Sequence, residues 1–235
     1  MPLNPRRLRL YGFLKKTCPL FRNAFAFRCA FLRWAGASVG PGCRISPDVL
    51  IQGKGTLDIG ANCVLFGGVK LYADGTLRLG AGLTIRAGTT LVAKGTLDIG
   101  GEGKTVSEEV LMQSYQQSVI RIGKGGCVAP RTYISATGNS RITIGDHCKI
   151  AHMVSIKTNE HVIDPSGPCI GGERRVKDIT VKDGCWVCAG AILIPGVTVG
   201  RKCVVAAGAV VTRDTPDLTL VAGCPAVVKK SYAEG

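Results

Sequence analysis

A six-residue hydrophobic period constrains this chain more tightly than any other feature. Every sixth position is aliphatic through Val39, Ile45, Ile51, then Ile59, Leu65, Leu71, then Leu79, Ile85, Leu91. The pattern resumes at Ile122, Val128, Ile134 and at Ile144, Ile150, Ile156, and Val181, Val187, Leu193, Val199, Val205 and Val211 run unbroken. A longer repeat lies over it: GTLDIG at 55–60, GTLRLG at 75–80 and GTLDIG at 95–100. A period of six fits neither a helix nor a free-standing alternating strand. It fits a short strand followed by a tight corner, with three such units making one triangular turn of a solenoid whose coils stack by parallel pairing. The expected fold is therefore all-β, a left-handed parallel β-helix of roughly eight coils between residue 39 and about 215.

Smaller features fit this prism. A small residue usually sits four places after each aliphatic (Cys43, Cys63, Cys148, Cys185, Cys203, Ala209). Glycine is abundant, with 32 residues, and aromatics are scarce at 6%, as many turns and a thin core require. At the corner holding the two extra residues of each 20-residue coil, glycine is expected for its freedom at positive φ. The stretch 99–121 departs from the period, and its SEEVLMQSY is read as a small helical excursion. The expected organisation is a basic amphipathic helical extension over 1–36, the β-helix over 37–215 with a catalytic loop at 157–180, and a C-terminal tail over 216–235.

Residues 1–47 carry nine Arg and Lys and no acid, out of a net charge of +14. Such an asymmetry points to an anionic surface. Arginine mixed with aromatics on a helix suits peripheral membrane contact; the same helix could instead cap the open end of the solenoid, whose strand edges need cover. Nothing suggests a nucleic-acid partner. No apolar run reaches the 18 or more residues of a membrane-spanning helix, and the basic N-terminus is unlike a signal peptide. The eleven cysteines have no metal-like spacing and an odd count. They read as reduced thiols in a cytoplasmic protein, six of them (Cys43, Cys63, Cys148, Cys185, Cys203, Cys224) as small buried hydrophobes.

The period breaks once on a large scale. After Ile156 the next hexad begins at Val181, so residues 157–180 leave the prism, and long excursions from a rigid scaffold commonly carry function. The three histidines, His147, His152 and His161, fall close together. The first two occupy corners; His161 is lifted onto the excursion, where an imidazole with a free pKa of about 6.5 is suited to take a proton from a hydroxyl.

From Ile142 onward the chain resembles the hexapeptide-repeat acetyltransferases, in particular the branch acting on galactosides, maltose and polysaccharides. The resemblance rests on TNEH at 158–161, CWVCAGAILIPGVTVG at 185–200, AAGAVVTRD at 206–214 and VAGCPA at 221–226. It implies a homotrimer with the site between subunits, and direct transfer from acetyl-CoA to a sugar or glycan hydroxyl without a covalent enzyme intermediate or a metal. It gives His161 the role of catalytic base and sets Trp186 beside the acceptor. Ala189, Ala207, Thr212 and Arg213 would line the coenzyme A channel, with Lys230 near the nucleotide phosphates. Asp164 or Glu160 could orient His161. Where galactoside-type relatives place an acceptor-binding asparagine, this chain has Ala129, which implies a different acceptor pocket.

The alternatives are an amino-sugar N-acetyltransferase on the same fold, a γ-carbonic-anhydrase-like metalloenzyme and a non-catalytic solenoid. The metalloenzyme would need a third ligand from an earlier coil, where no histidine precedes His147. An ice-binding solenoid would need regular threonine ladders, which are absent.

Overall fold

The computed structural model describes residues 2–18, 24–162 and 174–232. Its body is a three-faced parallel β-solenoid of about eight coils, as the hexads require. The first face stacks eight short strands, from Ser38–Val39 through Thr56–Ile59 and Thr76–Leu79 to Thr198–Val199. The second face runs from Arg44–Ile45 to Val204–Val205 and continues, the third from Leu50–Gln52 to Val210–Val211. Registers between coils are strict: Leu57 lies on Leu77, and Leu77 on Leu97. Along each strand one residue points inward and the next outward, so the aliphatic of every hexad is buried: Ile59, Leu65, Leu71, Ile85, Leu91, Val187 and Val205 all have at most 1% of their surface exposed. Burying each such side chain contributes about 1.5–3 kcal/mol, and the rows fill the prism along its length.

Four expectations need correction. The stretch 99–121 is not helical. Its strands Thr105–Val106 and Leu111–Ser114 are ordinary members of the second and third faces, paired on both sides. One extra residue around Gly100–Gly103 shifts the phase, and Glu102 and Gly103 absorb it at φ 56° and 79°. The glycines of the repeated Gly-Thr corners are there for closeness, not for positive φ. A Cβ on Gly55, Gly75 or Gly95 would lie 2.0, 2.1 or 2.2 Å from a carbonyl oxygen of the next coil. Cys224 is exposed, because the chain has left the prism there; Cys43, Cys63, Cys148, Cys185 and Cys203 are buried inside it. The tail is also partly solenoid: Thr219–Ala222 pairs in parallel with the second face before Val227–Ser231 turns back antiparallel upon it.

Two helices close the N-terminal end, α1 (Pro5–Thr17) and α2 (Phe25–Trp34). Asn4 caps α1 by accepting from the amides of Arg6 and Arg7, which satisfies two otherwise orphan donors. In the first coil, backbone amides donate to the second coil (Arg44 to Cys63, Leu50 to Val69), which leaves first-coil carbonyls facing out of the open end. The cap supplies donors to them. The buried Arg28 donates through Nε to the Ile45 carbonyl at 2.7 Å. Arg33 donates to the Val39 and Gly40 carbonyls at 2.8 and 3.2 Å. Leu3, Leu8, Tyr11, Cys29 and Leu32 fill the space beneath. A solenoid end without such partners would hold unpaired backbone groups at a free edge.

Candidate active site

The third face meets the first at an edge where the chain turns through tight corners in the early coils. At residues 157–178 the same edge opens and a β-hairpin leaves the prism. Asn159–His161 pairs antiparallel with Arg174–Val176, opposing His161 to Arg174, Glu160 to Arg175 and Asn159 to Val176. The root of the hairpin is fixed by Thr158, which is fully buried. Its amide donates to the Ser135 carbonyl, its carbonyl accepts from Lys177, and its hydroxyl accepts from the Thr137 amide at 3.1 Å. The Ser140 hydroxyl lies 2.7 Å away on the same oxygen. On the returning strand Asp178 accepts from the Arg141 amide at 2.8 Å. The histidine is therefore exposed but carried on a bolted base, and such a support holds a reacting group in place better than a free loop does.

Alternation along the hairpin separates the neighbours of His161. Cross-strand partners share a face, so Arg174 lies on the side of His161 while Glu160 faces the other way. There Glu160 pairs with Arg175 at 3.3 Å. Glu160 is thus engaged elsewhere and is not the group that orients the imidazole; Asp164 lies outside the described residues. Beside the hairpin, a groove of about 200 Å³ is lined by Ser155, Lys157, Asn159, Glu160, Ile192 and Pro195. Sequence reasoning singled out none of these lining residues except Glu160. Ile192, an exposed aliphatic on an outward position, is the signal that could have found the groove.

The other expected site residues fall into two sets. Thr212 and Arg213 follow the strand Val210–Val211 and occupy the same edge as the hairpin. Trp186 stands on the second face, half exposed, in register with Lys149 and Val204. Continuing that column, Val204 pairs with Leu220 and Leu220 with Lys230, so Trp186 and Lys230 share one ladder about 14 Å long at the usual strand spacing. Ala189 and Ala207 stack at the edge between the second and third faces, where Gly208 donates to the Ala189 carbonyl at 2.8 Å. Within one chain the third face separates these two sets. Ala129 follows the strand Cys127–Val128 of the second face, with its amide on the Ile150 carbonyl.

His147 and His152 sit at opposite ends of the strand Lys149–Ile150. Among the described residues no three His, Cys, Asp or Glu side chains come close enough to hold a metal ion.

Comparison with known proteins agrees with the fold. Residues 178–213 match the family model described as bacterial transferase hexapeptide (six repeats). A galactoside O-acetyltransferase of Lactococcus lactis is 31% identical over 97 residues, 41% of this chain and 46% of that protein. A putative acetyltransferase of Schizosaccharomyces pombe is 40% identical over 85 residues, 36% of this chain and 41% of the relative. The chain thus spans less than half the length of these curated relatives. In fold it resembles a UDP-N-acetylglucosamine acyltransferase from Campylobacter jejuni, with a TM-score of 0.54, 15% identity and coverage of 83% and 75% of the two chains. It also resembles an N-acyltransferase from Bacillus cereus, solved with dTDP-4-amino-4,6-dideoxyglucose and coenzyme A, with a TM-score of 0.52, 16% identity and coverage of 86% and 88%. The repeat, the solenoid and these relatives define a class, the hexapeptide-repeat β-helix proteins. Within that class, the stretch that matches is similar to acetyltransferases.

Proposed function

We propose that this protein is an acetyl-CoA-dependent O-acetyltransferase acting on a sugar or glycan hydroxyl, with His161 as the general base. The observation that carries the reading is the single histidine raised out of the prism on a hairpin whose root is hydrogen-bonded into the coil. In this reading His161 takes the acceptor proton as the hydroxyl oxygen attacks the thioester carbon. The carbon–sulfur bond then breaks and the coenzyme A thiolate leaves, taking up a proton. General-base assistance of this kind contributes about 10²–10⁴ in rate.

The separation of the site residues into two sets supports a homotrimer. An edge carrying His161, Thr212 and Arg213 and a face carrying Trp186, with Ala189 and Ala207 at its border, could enclose one cleft only if they came from neighbouring copies. Coenzyme A would lie along this cleft, its phosphates toward Arg213 or Lys230, since cationic side chains favour phosphate. The ten cysteines among the described residues are all free thiols, which suits a cytoplasmic setting. No helix among the described residues is long and apolar enough to cross a membrane.

The test is acetylation of a panel of free sugars and glycans, with the product analysed for hydroxylamine-labile acetyl. A labile ester is expected. A stable amide on an amino sugar would favour the second reading, N-acetylation, which the fold shared with the amino-sugar N-acyltransferase keeps in view. Light scattering should give three times the 24.7 kDa chain mass; a monomer that turns over at full rate would contradict the shared cleft.

A further inference from the structure

Capping explains only the inner half of the N-terminal helices. Leu8 and Tyr11 of α1, and Arg28, Cys29 and Leu32 of α2, are buried against the first coil. At 100° per residue, the opposite side of α1 presents Arg6, Leu10, Phe13 and Thr17, and that of α2 presents Phe27, Ala30 and Trp34. All of these are exposed, Phe13 at 62%, Phe27 at 49% and Trp34 at 48%. Phe25, at the start of α2, is 45% exposed as well. A terminal cap whose only task is to end a solenoid carries a polar outer face, because solubility demands it. Here the outer face gathers large apolar side chains instead. Five of the six phenylalanines of the chain lie in its first 31 residues.

The charge on the two helices themselves is of one sign. The first acidic residue of the chain is Asp48, and Arg6 and Arg9 are exposed on α1. Arg7 fixes the two helices to each other, with its guanidinium hydrogen-bonded to the Trp34 carbonyl and lying 4.2 Å from the centre of the Trp34 ring. Aromatic rings interleaved with arginine, on rigid helices too short and too charged to insert across a bilayer, match the physics of an interfacial anchor. The rings enter the boundary between headgroups and acyl chains while the guanidinium groups meet lipid phosphates.

We propose that the outer face of the helical cap is a membrane-docking surface, which seats the N-terminal end of the solenoid on a bilayer containing anionic phospholipid. The inference stands apart from the acyl-transfer reading and would survive its failure. In such an arrangement the solenoid stands away from the bilayer, and its edges stay open to a glycan presented at the same surface.

The test is co-sedimentation of the full chain with vesicles of phosphatidylcholine alone, and of phosphatidylcholine mixed with phosphatidylglycerol. Two variants are compared with the parent: Arg6→Gln with Arg9→Gln, and Phe13→Ser with Phe27→Ser. Sedimentation with the anionic vesicles only is expected. Binding should fall about fivefold for each cation removed and at least about tenfold for the aromatic pair. A parent chain left in the supernatant by both vesicles overturns the proposal. So does an aromatic pair that binds as the parent does, because the interaction would then be attraction of net charge alone, which a soluble polyanion would serve equally. Should the aromatic pair fail to fold, the Trp186→Phe chain keeps Trp34 as its one tryptophan. Quenching of that fluorescence by brominated phosphatidylglycerol is expected, and its absence overturns the proposal.

Discussion

The coils between Thr56 and Ser114 and those between Arg141 and Ala222 are built from the same hexads, yet they treat one edge of the prism in opposite ways. In the early coils the corner from third to first face is so tight that no Cβ fits at Gly55, Gly75 or Gly95. In the later coils that corner releases a hairpin with His161, and two coils on it carries Thr212 and Arg213. The same interior thus supports both halves, and the difference lies wholly in what the corner is allowed to do. Rigidity comes from repetition, and the proposed chemistry enters where repetition stops.

That contrast can be broken experimentally in several ways. The largest effect is expected from replacing residues 159–176 by a short turn like those of the early coils. The proposed acetyl transfer should fall by more than about 100-fold while circular dichroism keeps its β signature, because the coils above and below pair without the hairpin. The reverse behaviour is expected in an early coil. Leu97→Ala, between Leu77 and Ile120, should cost about 2–5 kcal/mol of stability by chemical denaturation and leave turnover of the folded fraction unchanged.

A smaller effect is expected at Lys104, which occupies an inward position in line with Leu83 and Cys148. It is fully buried, and its Nζ has no hydrogen-bond partner among the described residues. Burial pushes this ammonium below the ordinary lysine range, so the folded chain holds the proton less tightly than the unfolded one. Stability should therefore rise with pH from the lowered value up to the ordinary lysine pKa of about 10.4. Lys104→Met should add about 1–3 kcal/mol at neutral pH and abolish that alkaline rise, both measurable by denaturant titration across pH. Smallest of all, Glu160→Gln breaks an ion pair with Arg175 that is largely open to water, and should change stability by less than about 1 kcal/mol. A large loss of turnover in this variant would return Glu160 to the chemistry.

The prism was readable because its cause is periodic. An aliphatic every sixth residue has nowhere else to go, and the one long interruption marks the hairpin. What escaped reading was local. One added residue near Gly101 and two more in the corner at 115–118 broke the phase and made an ordinary coil look irregular, and Lys104 stood where an apolar residue was due. The Gly-Thr corners were assigned to backbone freedom, since the close approach of the next coil exists only in three dimensions. At the site, His161 stood out by its position, but the alternation that turns Glu160 away depends on the partner strand. That Trp186 lies on a different face from His161 likewise follows from counting coils in space, not from their nearness in sequence.

The most direct test of the central claim is thiol release from acetyl-CoA, measured with a glycan acceptor for the parent chain and for His161→Ala. The account predicts loss of about 100-fold or more in the variant, with an unchanged melting temperature and retained binding of coenzyme A. Turnover that persists at the parental rate would contradict it and remove His161 from the reaction.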